Sequence, residues 1–417
     1  MAAGHSHGAD LRPATRRDRI RRRKAMLGML VIIVPIGVAT VIGLFALWPS
    51  GEPPRVDFND PTSLAPGVSY SEATVSAVEH RPCTEEEGGG DCVDVDITVA
   101  GGQTGSMYVP PEVAASGIDP GDDLKVLSFP DAETQEASNS NFEYIFVDFD
   151  RDFPFVALAV AYAVVVVAVA RLRGLRALVG LVIAYLVMVK FMLPALVAGE
   201  QPVLVALVSS TAIMYVVLYL AHGVSARTTT ALLGTLAGIG LTVGLGFWAA
   251  DAAHLNGIGS EDSYTLASNT DMQLGSLVLC GMIIAGLGVL NDVTITQASA
   301  VWELSEGARN RSARELYGSA MRIGRDHIAS TVYTVAFAVA GGALPAMVLI
   351  TMYSRSFLES LTFGELAEEL ARTLVGSIGL VLAIPITTLI AVVVVRAVSR
   401  REPDDERMPD PLPASGG

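Results

Sequence analysis

The residues of this 417-residue chain best suited to chemistry lie in the run GLGVLNDVTITQASAVWEL. Gly288, Asp292, Thr296 and Ser299 recur at spacings of three or four, so a helix gathers them on one face, with Glu303 near its inner end. The flanking sequence is apolar over membrane-spanning length, where an ionisable group is costly enough to be read as functional by default. Such a stripe suits proton coupling, because burial favours the neutral carboxyl and a change of surroundings releases the proton. Ser330, Thr331 and Thr334, on the next apolar segment, are candidates to complete the hydrogen bonding of Asp292. Lys190 is either its counter-ion or a side chain that snorkels to the outer interface. A competing reading makes Asp292 the cap of a short cytoplasmic helix after a break at Leu290-Asn291, with a role in packing alone.

Positioning these groups requires membrane spans. A hydrocarbon core about 30 Å thick takes roughly 20 apolar residues of helix, since no backbone amide goes unpaired there. Eight segments meet that length, near 26–48, 154–170, 177–198, 202–221, 229–250, 274–302, 328–350 and 373–395. The run RRDRIRRRK precedes the first, which places the N-terminus in the cytoplasm. Alternation from there brings Arg171, Arg173 and Arg176, then Arg227, then Arg309, Arg311, Arg314, Arg322 and Arg325, and finally Arg396, Arg400 and Arg401 to the same side. An odd number of spans would break that agreement. Residues 1–25 thus form a basic cytoplasmic tail, 26–48 a signal anchor, 154–396 a seven-span membrane domain and 397–417 a second cytoplasmic tail. The first apolar run is too long for a cleaved signal peptide, and Ala46-Leu47-Trp48 is a poor cleavage site. Pro194 and Pro385 are candidate kinks. The pairs Gly234/Gly238 and Gly240/Gly244, with Gly281, Ala285 and Gly288, form small-residue faces for close helix contact.

Residues 49–153 are the one long polar stretch, read as a small extracytoplasmic β-domain between the first and second spans. Val93, Val95, Ile97 and Val99 alternate with Asp94, Asp96 and Thr98, the period of a half-buried strand. Similar runs occur at Ala73–Val78, Ser106–Val109, Leu124–Phe129 and Tyr144–Phe149. Cys83 and Cys92 flank the loop TEEEGGGD on the side that topology makes oxidising, where a disulfide forms more readily than two free thiols persist. The region holds 22 acids against 4 bases, a net of −18, while the whole chain sums to −15. The acidity therefore belongs to this domain, and it favours cationic partners and repels anionic headgroups.

This composition excludes a basic nucleic-acid binder and a disordered chain. Glu85, Glu86, Glu87 and Asp91 lack EF-hand spacing and read as a solvated loop, and His5 and His7 read as solvent-exposed. His222, His254 and His327 are tens of residues apart, and no Ser/His/Asp set or metal-ligand constellation appears. The expectation is a non-enzyme without cofactor or metal. Its partners are the lipid bilayer, protons with a substrate, and an envelope protein met by residues 49–153.

The stretches GVLNDVTITQASAVWEL and GELAEELARTLVGSIGLVLAIPITTLI, with the outer domain after the first span and the seven spans that follow, closely resemble YibE/F family membrane proteins. That resemblance implies a multi-pass protein of the bacterial plasma membrane. More distantly, the run from Gly286 to Leu344 is similar to the proton-relay region of RND transporters and SecD/SecF translocase subunits. The similarity rests on Asp292, Glu303, Ala313, Ala320, Gly324, Ser330 and Thr331, and it implies a transporter or export accessory driven by the proton-motive force. Asn291 stands where RND exporters often carry a second acid, so the single-acid SecD arrangement is nearer. The alternative is a membrane scaffold whose outer domain recruits an envelope partner while the polar stripe only fixes packing.

Overall fold

The computed structural model describes residues 16–49, 68–83, 91–129, 143–269, 272–307, 311–352 and 356–399. His5, His7, Glu85, Glu86, Glu87, Arg309, Arg400 and Arg401 lie outside the described residues. The chain divides into two compact units, one of Arg55–Arg171 and one of Met1–Pro54 with Leu172–Gly417.

The smaller unit is built on one antiparallel sheet of β1 (Ser69–Pro82), β2 (Asp91–Val99), β3 (Thr104–Val109), β4 (Asp123–Ser128) and β5 (Tyr144–Phe149), in the order β3-β2-β1-β4-β5. β1 is long enough to pair with β2 along most of its length and with β4 over its first half, and a register shift between Val75 and Ala77 bends it. The sheet curls into a half-barrel that brings Tyr144 of β5 over Gly105 of β3, where any side chain on the glycine would collide with the ring. Alternation decides the two faces. Val75, Val95, Ile97, Met107, Leu124, Val126 and Tyr144 fill the interior, whereas Glu72, Thr74, Glu79 and Asp96 face outward. Arg81 reaches Asp94 across the β1–β2 pair at 2.6 Å. Arg151 donates to Asp148 and holds that carboxyl below the usual carboxylate range, so the contribution of this exposed pair is present above the ordinary carboxylate pKa and is lost as pH falls. Cys83 and Cys92 are disulfide-bonded at the loop end of the β1–β2 hairpin. Replacing both by serine is expected to lower the stability of this unit by about 2–3 kcal/mol, the loop-closure contribution of so short a ring, as measured by thermal unfolding with and without reductant.

The larger unit is helical. Its long helices are α1 (Arg16–Ala46), α2 (Asp152–Val187, whose first half belongs to the smaller unit), α3 (Pro202–His222), α4 (Ala226–Ala252), α5 (Leu274–Gly307), α6 (Ala313–Gly342) and α7 (Gly364–Ser399). Among the described residues six helices are long and apolar enough to cross a membrane, or seven if α6 and the short helix Leu344–Met352, bent from it by 63°, form one span. Two expected spans, 154–170 and 177–198, fall in the single 46-residue stretch Asp152–Val197. That stretch is broken at Arg171, whose φ of 53° and ψ of −134° leave the helical region. The expected cytoplasmic segment before the seventh span is continuous with it in α6, which starts at a capping box: Ser312 Oγ accepts the Glu315 N–H, and the Glu315 carboxylate accepts that of Ser312. Pro385 lies within an unbroken α7, whereas Pro194 has a local effect. It cannot return an N–H to the Lys190 carbonyl, and the helix widens there into the π turn Met188–Met192.

Three helices form the centre. α4 runs antiparallel to both α5 and α7, which run parallel to each other. Gly234, Gly238 and Gly246 of α4 face Thr387, Ala383 and Val375 of α7, and Gly238 and Gly246 also face Leu290 and Leu279 of α5. Gly286 of α5 crosses Gly376 of α7, and a Cβ added to either would stand 3.9 Å from the other's Cα. The expected second pair, Gly240 and Gly244, meets nothing. G234A forces a methyl against the buried Thr387 and is expected to cost about 1–3 kcal/mol by melting in detergent. G244A, with open space around it, is expected to be neutral or stabilising by up to about 1 kcal/mol.

Candidate functional site

α5 is one unbroken helix from Leu274 to Gly307, so the break at Leu290-Asn291 is absent and Asp292 caps nothing. Its depth follows from the register of its neighbours. Leu290 sits against Gly238, which also meets Ala383, and Thr294 shares a 2.7 Å hydrogen bond with Thr235. Asp292 is thus level with Ala383, near the middle of the apolar stretch 373–395 of α7.

The helix is rotated so that the expected polar stripe lies on its open flank. Gly288, Asp292, Thr296 and Glu303 are exposed and Ser299 is half-buried, whereas Leu290, Val293, Thr294, Gln297, Ala298 and Val301 face the core. The Asp292 side chain is 67% exposed.

The nearest cation-forming group to Asp292 is His327 of α6, with Nε2 standing 3.7 Å from Oδ2. The other candidates are not brought to it. Thr331 Oγ1 donates to the His327 carbonyl and Thr334 Oγ1 to that of Ser330, one turn back on their own helix. Thr296 Oγ1 donates to the Asp292 and Val293 carbonyls, and Ser299 Oγ to that of Ile295. These hydroxyls follow the local geometry of Ser and Thr in apolar helices, whose cheapest acceptor is the carbonyl four residues earlier. Ser330 is exposed, and Glu303 makes no ion pair among the described residues. Lys190 lies exposed in the π turn and pairs with neither Asp292 nor any other described acid. Its expected role as counter-ion is not realised, because the helix that carries it packs on α3 rather than beside the open flank of α5.

A second polar system on the buried flank of α5 was not singled out from the sequence. Gln297 Nε2 donates to the Ala320 carbonyl of α6 at 3.0 Å and to Thr388 Oγ1 of α7 at 2.8 Å, while Thr388 donates to its own Ile384 carbonyl. Gly324 leaves the room, since a Cβ there would meet Ile384 and the Gln297 amide. One amide therefore joins three helices, one and a half turns C-terminal to Asp292 on α5. Below it Val301, Leu316, Ala320, Ala391, Val392 and Val395 close an apolar cluster. A Gln amid apolar residues was the available signal.

The family model described as YibE/F-like protein matches residues 158–397. The chain belongs to the YibE/F family. The matched stretch of this YibE/F-like chain contains Asp292, Gln297 and His327 and leaves the five-stranded sheet outside it. No curated protein and no solved structure matched the chain.

Among the described residues no group of three His, Cys, Asp or Glu converges as metal ligands would. At the opposite end of α7 from Arg396, Glu369 pairs with Arg372, and the guanidinium lies over Gly281 of α5. Q297L removes a donor shared by two helices, while Thr388 keeps its bond to Ile384 and the Ala320 carbonyl stays within α6. It is expected to destabilise the helical unit by about 1–3 kcal/mol, whereas T296V, on the exposed flank, is expected to cost under about 1 kcal/mol. Melting of the two purified variants compares them.

Proposed function

We propose that the chain is a plasma-membrane transporter or export accessory driven by the proton-motive force, with Asp292 as the proton carrier, and that it is not an enzyme. The observation that carries this reading is a carboxyl level with the midpoint of α7, on the open flank of a helix whose other face is packed. A carboxylate at that depth is costly, and a neutral carboxyl is not, so opening and closing of the flank drives proton release and uptake. The likeness of Asp292, Glu303, Ala313, Ala320, Gly324, Ser330 and Thr331 to the relay region of RND and SecD/SecF proteins supports the same assignment.

The reading includes eight crossings with both termini cytoplasmic. A helical stretch of 46 residues is about 70 Å long, enough for two crossings joined at the arginine-rich break RLRGLR, and the bent pair from α6 supplies the seventh. Single cysteines placed in 171–176 and in the short segment 223–225 are expected to react with an impermeant thiol reagent from the cytoplasmic side only.

A scaffold reading, in which the sheet unit recruits an envelope partner, has one observation in its favour: Ser330, Thr331 and Thr334 offer Asp292 no hydrogen bond. D292N separates the two. The transporter reading expects a folded, inserted protein with function lost by two orders of magnitude or more, on the scale of about 10²–10⁴ set by removing a proton-transfer group. Normal function in that variant sinks it.

A further inference from the structure

We propose that His327 is the proton partner of Asp292, an inference that rests on the carrier reading of that aspartate. Its Nε2 is covered by protein and has no hydrogen-bond partner, although a third of the side chain as a whole is exposed. Buried polar atoms are almost always bonded, so an unbonded ring nitrogen beside a mid-membrane carboxyl calls for an explanation. The 3.7 Å gap to Asp292 Oδ2 exceeds a hydrogen bond by about half an ångström, which a small rotation of the exposed Asp292 side chain closes.

The surroundings leave His327 as the group able to exchange a proton there. From α5 it is faced by Asp292, whose neighbour in sequence, the neutral Asn291, has an Oδ1 that is likewise covered and unbonded. On its own helix the adjacent charged residues are Arg325 and Asp326, both exposed. From α7, the contacts of Gly324 with Ile384 and of Met321 with Thr388 place the apolar Val381 and Leu382 level with it. Further along, the Gln297 network and the apolar cluster around Leu316 and Val395 hold α5, α6 and α7 together. Asp292 and His327 therefore face each other where α6 meets the open flank of α5.

In the transfer step the Asp292 O–H bond breaks as an Nε2–H bond forms, leaving a carboxylate beside an imidazolium. The imidazolium then yields its Nδ1 proton to water on its exposed side. The ion pair between the two events holds both charges without exposing either to hydrocarbon alone.

Carbodiimide labelling, which modifies a protonated membrane carboxyl, tests this on the full-length protein in detergent with mass spectrometry as readout and no need for a known substrate. Glutamine cannot take the proton, so at one fixed pH labelling of Asp292 is expected to be several-fold stronger in H327Q than in the wild type. H327A is expected to behave likewise and to return toward the wild-type level with added imidazole. Unchanged or weaker labelling in H327Q overturns the proposal and leaves Asp292 as carrier intact. Stronger labelling in H327A that imidazole does not reverse also overturns it, by marking His327 as structural. Absence of Asp292 labelling at every pH in the wild type overturns the carrier reading itself. H327Q, of similar size and polarity, keeps the test decisive if H327A fails to fold.

Discussion

The helical unit depends on backbone approach among α4, α5 and α7. Between helices in lipid there is no hydrophobic gain to drive association, because the tails are as apolar as the side chains, so close packing and hydrogen bonds must supply it. Here Gly286 meets Gly376, and Gly234, Gly238 and Gly246 admit side chains of both partners into the surface of α4. That proximity places Thr235 against Thr294 and Gln297 against Thr388, polar contacts that an extra methyl in the way would separate. The glycines set the distance, and the hydrogen bonds then fix register and rotation.

Rotation is what matters for chemistry. α5 carries two polar stripes, one of Gly288, Asp292, Thr296 and Glu303 and one of Thr294 and Gln297, on different sides of the same helix. Because Gln297 is held by α6 and α7, the Asp292 stripe is turned away from the core. The same amide ties α6 to α5 at Ala320, about two turns before His327, so the placement of His327 beside Asp292 is a consequence of the buried network. A structural group and a candidate proton site are thereby coupled through two helices.

The sheet unit solves a separate problem. A small acidic domain has little core to spend, and it relies on strict alternation, a curled sheet sealed by Tyr144 over Gly105, and the Cys83–Cys92 bond. Its negative charge lies outside the stretch matched by the family model, whereas the helical unit carries Asp292 and the basic flanks.

Apolar length and alternation are local properties, so the helices and the strands around Val93–Val99 were legible in the residues alone. The same holds for the Gly234/Gly238 contact face and for the pairing of two cysteines across a hairpin. The orientation of α5 was not legible. Periodicity places Asp292, Thr296 and Ser299 on one face but cannot say whether that face looks inward, since in a membrane both flanks of the helix are apolar in composition. Nor could spacing decide among Lys190, Ser330, Thr331, Thr334 and His327 as neighbours of Asp292. The hydroxyls are claimed by carbonyls four residues back, a local competition the sequence contains but a helical wheel does not weigh. The choice of His327 over Lys190 is a matter of which helices touch, and that is decided only when Gly286 and Gly376 cross and Gln297 draws α6 onto α5.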